Sequence, residues 1–326
     1  MLRRRRGESG PGWRGARLEV RVPPHPGSAT PAELLRRLEF KVLRRLDGFL
    51  FGDYTGVFYG PSLDLAEVRE YQPGDEVRRI DWSVTARTGQ LHVRQYREER
   101  EITAWLIVDL SASMNFGTRR VLKREEALEF AVTAAAIITR HGDKVGAIAV
   151  SEAGMGITPA GTGRRQVLSI VQGLQKASAG PLGKTPGADP LEQALNHLNR
   201  TLKRRALVLV VSDFLPWQDA PAWAKPLGRL AYRHEVIAVR ILDPAEQELP
   251  RVGELRLRDP EGGQEVWVNT SDPRVRSAYA ALVRQRDENI RRTLQSARVD
   301  LLELSTAREI VEPLLKFTLR RKGVRR

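Results

Sequence analysis

Apolar runs and amphipathic segments alternate along the last two thirds of the chain. The runs ITAWLIVDL, KVGAIAVS, ALVLVVSDF and EVIAVRILD are apolar at nearly every position, and segments with helical periodicity lie between them. Strands that bury both faces and alternate with helices are typical of a parallel sheet covered on both sides. The pattern therefore predicts an α/β fold over residues 101–315, built on a doubly wound, mostly parallel, Rossmann-like sheet.

Beyond Asp243 this alternation gives way to other elements. The segment GELRLRDPEGGQEVWVNT predicts a hairpin with its turn at residues 261–263, and a charged helix is predicted near residues 272–297. The run VDLLELS predicts a last strand. A C-terminal helix follows it and merges into a basic tail over residues 316–326.

The first hundred residues carry a different pattern, which divides them into three parts. Residues 1–30 are rich in Arg, Gly and Pro and predict a disordered basic arm. A Thr–Pro start and one apolar face predict a helix over residues 31–47, either docked on the body of the protein or binding a partner. Residues 48–100 are dense in turn signals and predict a small β-rich module, in which RRIDWSVTA and QLHVRQY form a hairpin around Thr88–Gly89.

Charges of both signs crowd the module at residues 48–100, and three interpretations stay open. The side chains could form a network of ion pairs that fixes the module, a docking surface for a partner, or an acid/base site. If Trp82 is buried, the neighbouring Asp81 needs a hydrogen-bond partner, because an unpaired buried carboxylate is costly. The charged positions are Asp64, Glu67, Arg69, Glu70, Asp75, Arg78, Arg79, Asp81, Arg87 and Arg94.

Composition narrows the class of protein. The 326 residues are 41% hydrophobic, which favours a folded core over disorder, and the chain contains no cysteine. Disulfides and cysteine-ligated zinc are therefore excluded, and a reducing compartment is favoured. No apolar run approaches the roughly 18–20 residues that span a bilayer, and the basic start lacks the apolar segment of a secretory signal. We therefore predict a cytoplasmic protein without a transmembrane segment.

The net charge of +14 lies mostly at the two ends of the chain. Residues 1–22 hold seven Arg against two Glu, and residues 316–326 hold six Lys or Arg and no acidic residue. Basic ends are more often solvated arms than specific contacts, whereas a basic stripe on a folded face would indicate nucleic-acid binding. A nucleic-acid-associated protein that binds through these ends is therefore an alternative, without specific recognition of a sequence.

Three oxygen-bearing side chains end the first apolar run. Asp109, Ser111 and Ser113 stand two residues apart, so in extended backbone they point to the same side and can converge on one point. One carboxylate and two hydroxyls form an all-oxygen site that suits Mg²⁺ or Mn²⁺ better than zinc. In a doubly wound sheet, ligands bind at the carboxyl ends of the strands, which is where these residues stand.

Two further segments can contribute to the same site. Asp213 stands at the carboxyl end of the run ALVLVVSDF, and the segment AGPLGKTPGADPLEQAL offers Thr185 and Asp189 before a helix. An alternative is open for all these positions, because Asp and Ser after a strand are also ordinary turn and helix-cap residues.

Motifs in these segments resemble two known families. The stretch DLSASM resembles the Asp-x-Ser-x-Ser signature of von Willebrand factor type A domains, and VVSDF resembles the later strand-end Asp of their metal-ion-dependent adhesion site. The block GPSLDLAEVREYQPGDEVRRIDWSVTARTGQLHVRQYREERE resembles the core of the family called domain of unknown function 58, in which it precedes a type A domain. The chain is therefore identified as a member of that family.

The resemblance implies a set of metal ligands. Asp109, Ser111 and Ser113 match the first metal loop, and Asp213 matches the last ligand. The family pattern expects a Thr shortly before the helix residue Leu195. Counting back from Leu195 gives Asp189, while the nearby Thr is Thr185, so either residue could complete the site.

The resemblance also implies a function, which is binding rather than catalysis. Type A domains hold Mg²⁺ with one open position, which a carboxylate of a partner protein fills. Proteins similar to this one are linked with MoxR-type AAA+ ATPases, which implies an adaptor in chaperone-like assembly or remodelling. No base stands near Ser111 or Ser113 in the sequence, and the five His residues lack ligand spacing, so we predict no enzyme. A Mg²⁺-dependent hydrolase that uses the same site is an alternative.

Overall fold

The computed structural model describes residues 67–95 except 74, 76, 78 and 79, then 103–179, 189–215, 221–258 and 265–324, together with the single residues 32, 33 and 36. The predicted arm at residues 1–30 and most of the predicted helix at 31–47 therefore lie outside the described residues. Residues 32, 33 and 36 are helical. No helix in the described ranges is both long and apolar enough to cross a membrane.

The module before the α/β domain contains a helix that the sequence did not predict. Strand β1 (Glu67–Glu70) pairs antiparallel with β2 (His92–Gln95), and helix α1 (Trp82–Thr88) lies between them in the chain. The predicted hairpin around Thr88–Gly89 is therefore wrong. Asp81 caps the helix by accepting hydrogen bonds from Ser83 N and Val84 N, and Gly89 ends it with a φ of 74°.

The structure shows an ion pair in the charged module at residues 48–100. Arg69 forms two hydrogen bonds with the Asp75 carboxylate, at 2.8 and 2.7 Å, as expected for a network of ion pairs. Trp82 is 65% exposed, whereas Asp81 beside it is buried. The cap at the start of α1 supplies the partners that the buried carboxylate of Asp81 needs.

The α/β domain is built on one six-stranded sheet, which confirms the predicted fold class. Its strand order is β10-β7-β6-β3-β4-β5, and every neighbouring pair is parallel except β4 and β5. The strands are β3 (Thr103–Asp109), β4 (Lys144–Ser151), β5 (Gly154–Gly161), β6 (Leu207–Ser212), β7 (Glu235–Leu242) and β10 (Asp300–Ser305).

Helices cover both faces of this sheet, and each face has its own apolar core. The first core contains buried side chains such as Phe130, Val171 and Leu314. The second core contains Leu195 and Leu227. The helices of the first face are α2 (Lys123–Arg140), α3 (Gly163–Ser178) and α7 (Val311–Val324). Those of the second face are α4 (Pro190–Thr201), α5 (Ala224–Arg233) and α6 (Pro273–Ser296).

Two further strand elements complete the fold. The hairpin predicted after Asp243 is confirmed as β8 (Glu254–Arg258) paired with β9 (Glu265–Asn269), although its turn lies outside the described residues. Strand β5, by contrast, was not predicted. Its sequence GMGITPAG contains three glycines and a proline, and an edge strand can tolerate these residues because one side of it is unpaired.

The structure corrects the prediction of a basic tail over residues 316–326. Helix α7 continues to Val324, and Phe317 on it is buried in the first core. Arg321 is also buried, and it forms ion pairs with Glu235 at 2.5 Å and with Asp300 at 2.8 Å. Apolar positions interleaved with the basic ones let the helix continue, so part of this positive charge lies on a packed helix.

Candidate metal site

Asp109 is the last residue of β3, and two hydrogen bonds fix its carboxylate. Oδ1 accepts from the backbone N–H of Ser111 at 2.9 Å, and Oδ2 accepts from the hydroxyl of Ser212 at 2.6 Å. Only 7% of Asp109 is exposed. Because Ser212 ends the neighbouring strand β6, these bonds tie the two strand ends together at the carboxyl edge of the sheet.

The loop after β3 turns at once into a short 3₁₀ helix, Ala112–Asn115. This turn brings the hydroxyls of Ser111 and Ser113, both buried, to 3.3 Å from each other. Glu152, in the turn between β4 and β5, accepts a hydrogen bond from the backbone N–H of Ala112 at the start of the 3₁₀ helix. The structure therefore brings Asp109, Ser111 and Ser113 together as the sequence predicts.

Asp213 follows β6 and reaches the same point. Its Oδ1 accepts a hydrogen bond from the backbone N–H of Leu215 at 3.0 Å, and the Ser113 hydroxyl of the first loop helps to lower the pKa of Asp213. Between Asp213 and Leu215, Phe214 adopts a φ of 57°, a left-handed conformation that is unfavourable for a residue with a side chain. Its ring is buried edge-to-face against Trp223 with the ring centres 5.2 Å apart, which holds this turn in place.

The two carboxylates differ in their electrostatic surroundings. Burial and the nearby charge of Asp213 raise the pKa of Asp109 to about 6, although hydrogen bonds from Ser212 and Ser111 oppose the shift. Burial alone would also raise the pKa of Asp213, but the ammonium of Lys123 outweighs it and the pKa lies below its ordinary value. One carboxylate is therefore paired with a cation, whereas no cation among the described residues forms an ion pair with the other.

The cation beside Asp213 is a wholly buried lysine. The Nζ of Lys123 lies 2.8 Å from Oδ2 of Asp213 and 2.6 Å from Oε1 of Glu246. Glu246 ends a second short 3₁₀ helix, Pro244–Glu246, which follows β7.

Asp189 stands at the same edge of the sheet, where it caps helix α4. Its Oδ1 accepts hydrogen bonds from Leu191 N at 2.8 Å and Glu192 N at 3.4 Å. Burial raises the pKa of Asp189, and the charge of Asp213 adds to the shift, so the two carboxylates lie within electrostatic range of each other. Thr185 lies outside the described residues. That one of these two residues completes the metal site stays a prediction.

A family profile matches most of the chain. The match covers residues 67–289, and the family is described as "Protein of unknown function DUF58". The chain belongs to this family. The resemblance to this family that was drawn from the sequence motifs is therefore confirmed, and the mostly parallel six-stranded sheet bears out the predicted α/β fold class.

Relatives of this DUF58 chain include one close in length. An uncharacterized protein of Mycobacterium tuberculosis is 38% identical over 296 residues, which make up 90% of each chain. Among solved structures, BatB from Bacteroides thetaiotaomicron is 13% identical over 68% of this chain and 99% of its own, with a TM-score of 0.43. A von Willebrand factor type A protein from Catenulispora acidiphila is 11% identical over 69% of this chain and 43% of its own, with a TM-score of 0.31.

The residues of the site fit a hard divalent cation. Carboxylate and hydroxyl oxygens are the donors that Mg²⁺ and Mn²⁺ prefer, and the buried charge of Asp109 would be neutralised by such an ion. Within the described ranges, no three His, Cys, Asp or Glu side chains are grouped so that they could hold a metal ion. In this DUF58 chain a cation would therefore depend on the Ser111 and Ser113 hydroxyls as much as on carboxylates.

The sequence analysis did not identify four residues of the site. Two of them could have been recognised from the sequence pattern, and two could not. Ser212 directly precedes Asp213, and Glu152 follows the apolar run KVGAIAVS, so both could have been found as further polar residues at strand ends. Lys123 and Glu246 gave no such signal. A lysine at the start of a helix predicts a solvated side chain, and nothing in the sequence places it against Asp213.

Proposed function

We propose that this chain is a protein-interaction module whose contact with its partner depends on a bound divalent cation, Mg²⁺ or Mn²⁺. The observation that carries the proposal is the cluster of Asp109, Ser111, Ser113 and Asp213. Hydrogen bonds link Asp109 to the backbone N–H of Ser111 and the Ser111 hydroxyl to that of Ser113, and the charge of Asp213 is near enough to raise the pKa of Asp109. These four side chains come from the ends of two adjacent strands, and all of them are buried at one edge of the sheet.

Each residue of the site would have its own role in binding the cation. Asp109, Ser111 and Ser113 would hold the cation, and Asp213 would contact it directly or through water, with Thr185 or Asp189 as the remaining candidate. A bound Mg²⁺ would supply a positive charge with a coordination position for a ligand from outside the chain. Ser212 and Glu152 hold the Asp109 carboxylate and the 3₁₀ helix in place, as outer residues of metal sites commonly do.

The partner that this proposal favours is a protein that presents an Asp or Glu side chain. A carboxylate is the natural ligand for an open position on a hard cation. The family resemblance makes a MoxR-type AAA+ ATPase the leading candidate, with this DUF58 chain acting as its adaptor in chaperone-like assembly or remodelling. We therefore propose binding, rather than catalysis, as the use of the site.

A pull-down tests this proposal. The tagged full-length chain is incubated with a MoxR-type AAA+ ATPase encoded by the same genome, in Mg²⁺ or in EDTA, and compared with Ser111→Ala/Ser113→Ala. We expect retention of the ATPase in Mg²⁺ alone, and its loss in EDTA and in the double variant. Retention that is equal in EDTA would contradict a metal-dependent contact, and no retention in any condition would contradict the choice of partner.

A further inference from the structure

Lys123 occupies a position that is unfavourable for a lysine in two ways. It is the first residue of α2, where the partial positive charge of the helix N-terminus repels a cation. Its side chain is also completely buried, although Lys is almost never fully buried unless it is paired. Such a placement needs strong compensation from neighbouring negative charges.

Two carboxylates supply that compensation. The Lys123 ammonium bridges Asp213, which belongs to the proposed metal site, and Glu246, whose 3₁₀ helix is capped by Asp243. Burial alone would lower the pKa of Lys123, but Asp213 and Glu246 outweigh it, so the pKa is raised and the ammonium keeps its charge.

If a divalent cation binds at the proposed site, the bridge makes Asp213 a carboxylate that this cation would share with the Lys123 ammonium. Its Oδ2 accepts a hydrogen bond from Lys123 at 2.8 Å, while its charge also acts on Asp109, a proposed ligand. A cation held by Asp109, Ser111 and Ser113 would therefore be separated from a permanent ammonium by one carboxylate. Like charges at this separation repel strongly, because the buried surroundings screen them poorly.

We propose that Lys123 is a built-in positive charge that weakens the binding of a free divalent cation at the Asp109–Asp213 site, and that Glu246 limits this weakening. The proposal rests on the proposed function, since it concerns the same site. Because Lys123 leaves the bound cation with more uncompensated positive charge, it also favours completion of the site by an anionic group from a partner. Lys123 is a positioning residue in this sense, and not a ligand.

The test is the affinity of the full-length chain for Mn²⁺ alone, measured by isothermal titration and by electron paramagnetic resonance of free Mn²⁺. Three variants separate the charges: Lys123→Gln/Glu246→Gln, Lys123→Gln and Glu246→Gln. The double variant guards against unfolding, because it avoids leaving two buried carboxylates without a cation. Lys316→Gln/Glu312→Gln, which removes an exposed ion pair on α7, is the matched control.

We expect both variants that lack Lys123 to bind Mn²⁺ at least about tenfold more tightly than the wild type, and Glu246→Gln to bind more weakly. A purely structural role for Lys123 would change affinity in the opposite direction, because a loosened site binds less metal. Unchanged or weaker binding by the folded double variant, with binding by the wild type intact, overturns the inference but leaves the proposed function standing.

Two other outcomes separate the proposals further. If only the variants without Lys123 bind Mn²⁺, the inference is supported and metal dependence of the wild-type chain is contradicted. If no protein binds Mn²⁺, both proposals are overturned.

Discussion

The hydroxyl of Ser212 donates a hydrogen bond of 2.6 Å to the carboxylate of Asp109 and thereby joins the ends of two neighbouring parallel strands. The bond orients a buried acidic group without supplying a positive charge. Asp109 is therefore held in a fixed geometry, and among the described residues no cationic side chain forms an ion pair with it, which suits the proposed cation site.

The raised pKa of Asp109 gives a prediction about stability in the absence of metal. The pKa of Asp109 in the folded protein is about 6, above its ordinary value of 3.8, so the folded state binds the proton more tightly than the unfolded state. In EDTA the free energy of unfolding should therefore fall as the pH rises from about 4 to 6, by on the order of 2–3 kcal/mol. Asp109→Asn should remove this loss and be more stable than the wild type at pH 7.5.

Urea unfolding in EDTA between pH 4 and pH 8 checks this prediction. Glu248→Gln, at an exposed position, is the control and should follow the wild type. A wild-type protein that gains stability across this range relative to Asp109→Asn would show that the Asp109 carboxylate already has a favourable partner.

Asp243 should respond to pH in the opposite direction. Its buried carboxylate accepts hydrogen bonds from the backbone N–H and hydroxyl of Thr118 and from the hydroxyl of Thr306, at 2.8, 2.6 and 2.5 Å. Burial alone would raise the pKa of Asp243, but these bonds outweigh it and the pKa is lowered. The stability that the ionised group contributes is present above its ordinary pKa and is lost as the pH falls through the lower, folded value.

Asp243→Asn should therefore lower the free energy of unfolding by roughly 2–4 kcal/mol at pH 7, and by less near pH 3. Urea unfolding at the two pH values measures the difference. Asp300→Asn, at a half-exposed position on the same sheet, should cost little at either pH. A cost for Asp243→Asn that does not shrink in acid would contradict the lowered pKa.

Glu152 should matter for metal binding although it is not a predicted ligand. Its carboxylate accepts the backbone N–H of Ala112 and so holds the 3₁₀ helix that carries Ser113. We expect Glu152→Ala to weaken Mn²⁺ binding about tenfold, the order found when outer residues of metal sites are removed. Isothermal titration measures this, with Glu312→Ala as a distant control, and unchanged affinity would mean that the loop holds its shape without Glu152.

Gly146 should be required for the packing of the sheet. It lies opposite Trp105 in the register of β3 and β4, and a Cβ at residue 146 would lie 2.9 Å from the indole ring. Gly146→Ala should therefore destabilise the protein by about 1–3 kcal/mol. Gly156→Ala on β5 is the matched control, because its Cβ would meet only Ala149 at 3.9 Å. Thermal unfolding compares the two, and equal stability of both variants would contradict the predicted overlap.

The parts of the fold that were predictable are those where burial dominates. Strands β3, β4, β6 and β7 bury both faces, so their apolar runs identified them and placed Asp109 and Asp213 at one edge of the sheet. Helix α1 and strand β5 were not found, because neither buries enough apolar surface to give a pattern. Asp81 and Gly89 cap the two ends of α1, although the β-branched residues of the segment favour a strand.

The ion pairs that Lys123 forms with Asp213 and Glu246 could not be predicted from the sequence, for a different reason. Lys123 lies 90 residues before Asp213 and 123 residues before Glu246, and only the packing of α2 on the sheet brings them together. Charges far apart in sequence give no periodic signal. The cluster of Asp109, Ser111 and Ser113 could therefore be predicted from the sequence, whereas the position of Lys123 beside Asp213 could not.

The most direct test of the proposed metal site is a calorimetric titration of the full-length chain with Mg²⁺ and Mn²⁺ at pH 7.5, beside Asp109→Asn. The proposed site predicts saturable binding of one ion per chain to the wild type, and none to Asp109→Asn although that variant is folded. Binding of equal affinity and stoichiometry by both proteins would contradict a cation held by Asp109, Ser111 and Ser113.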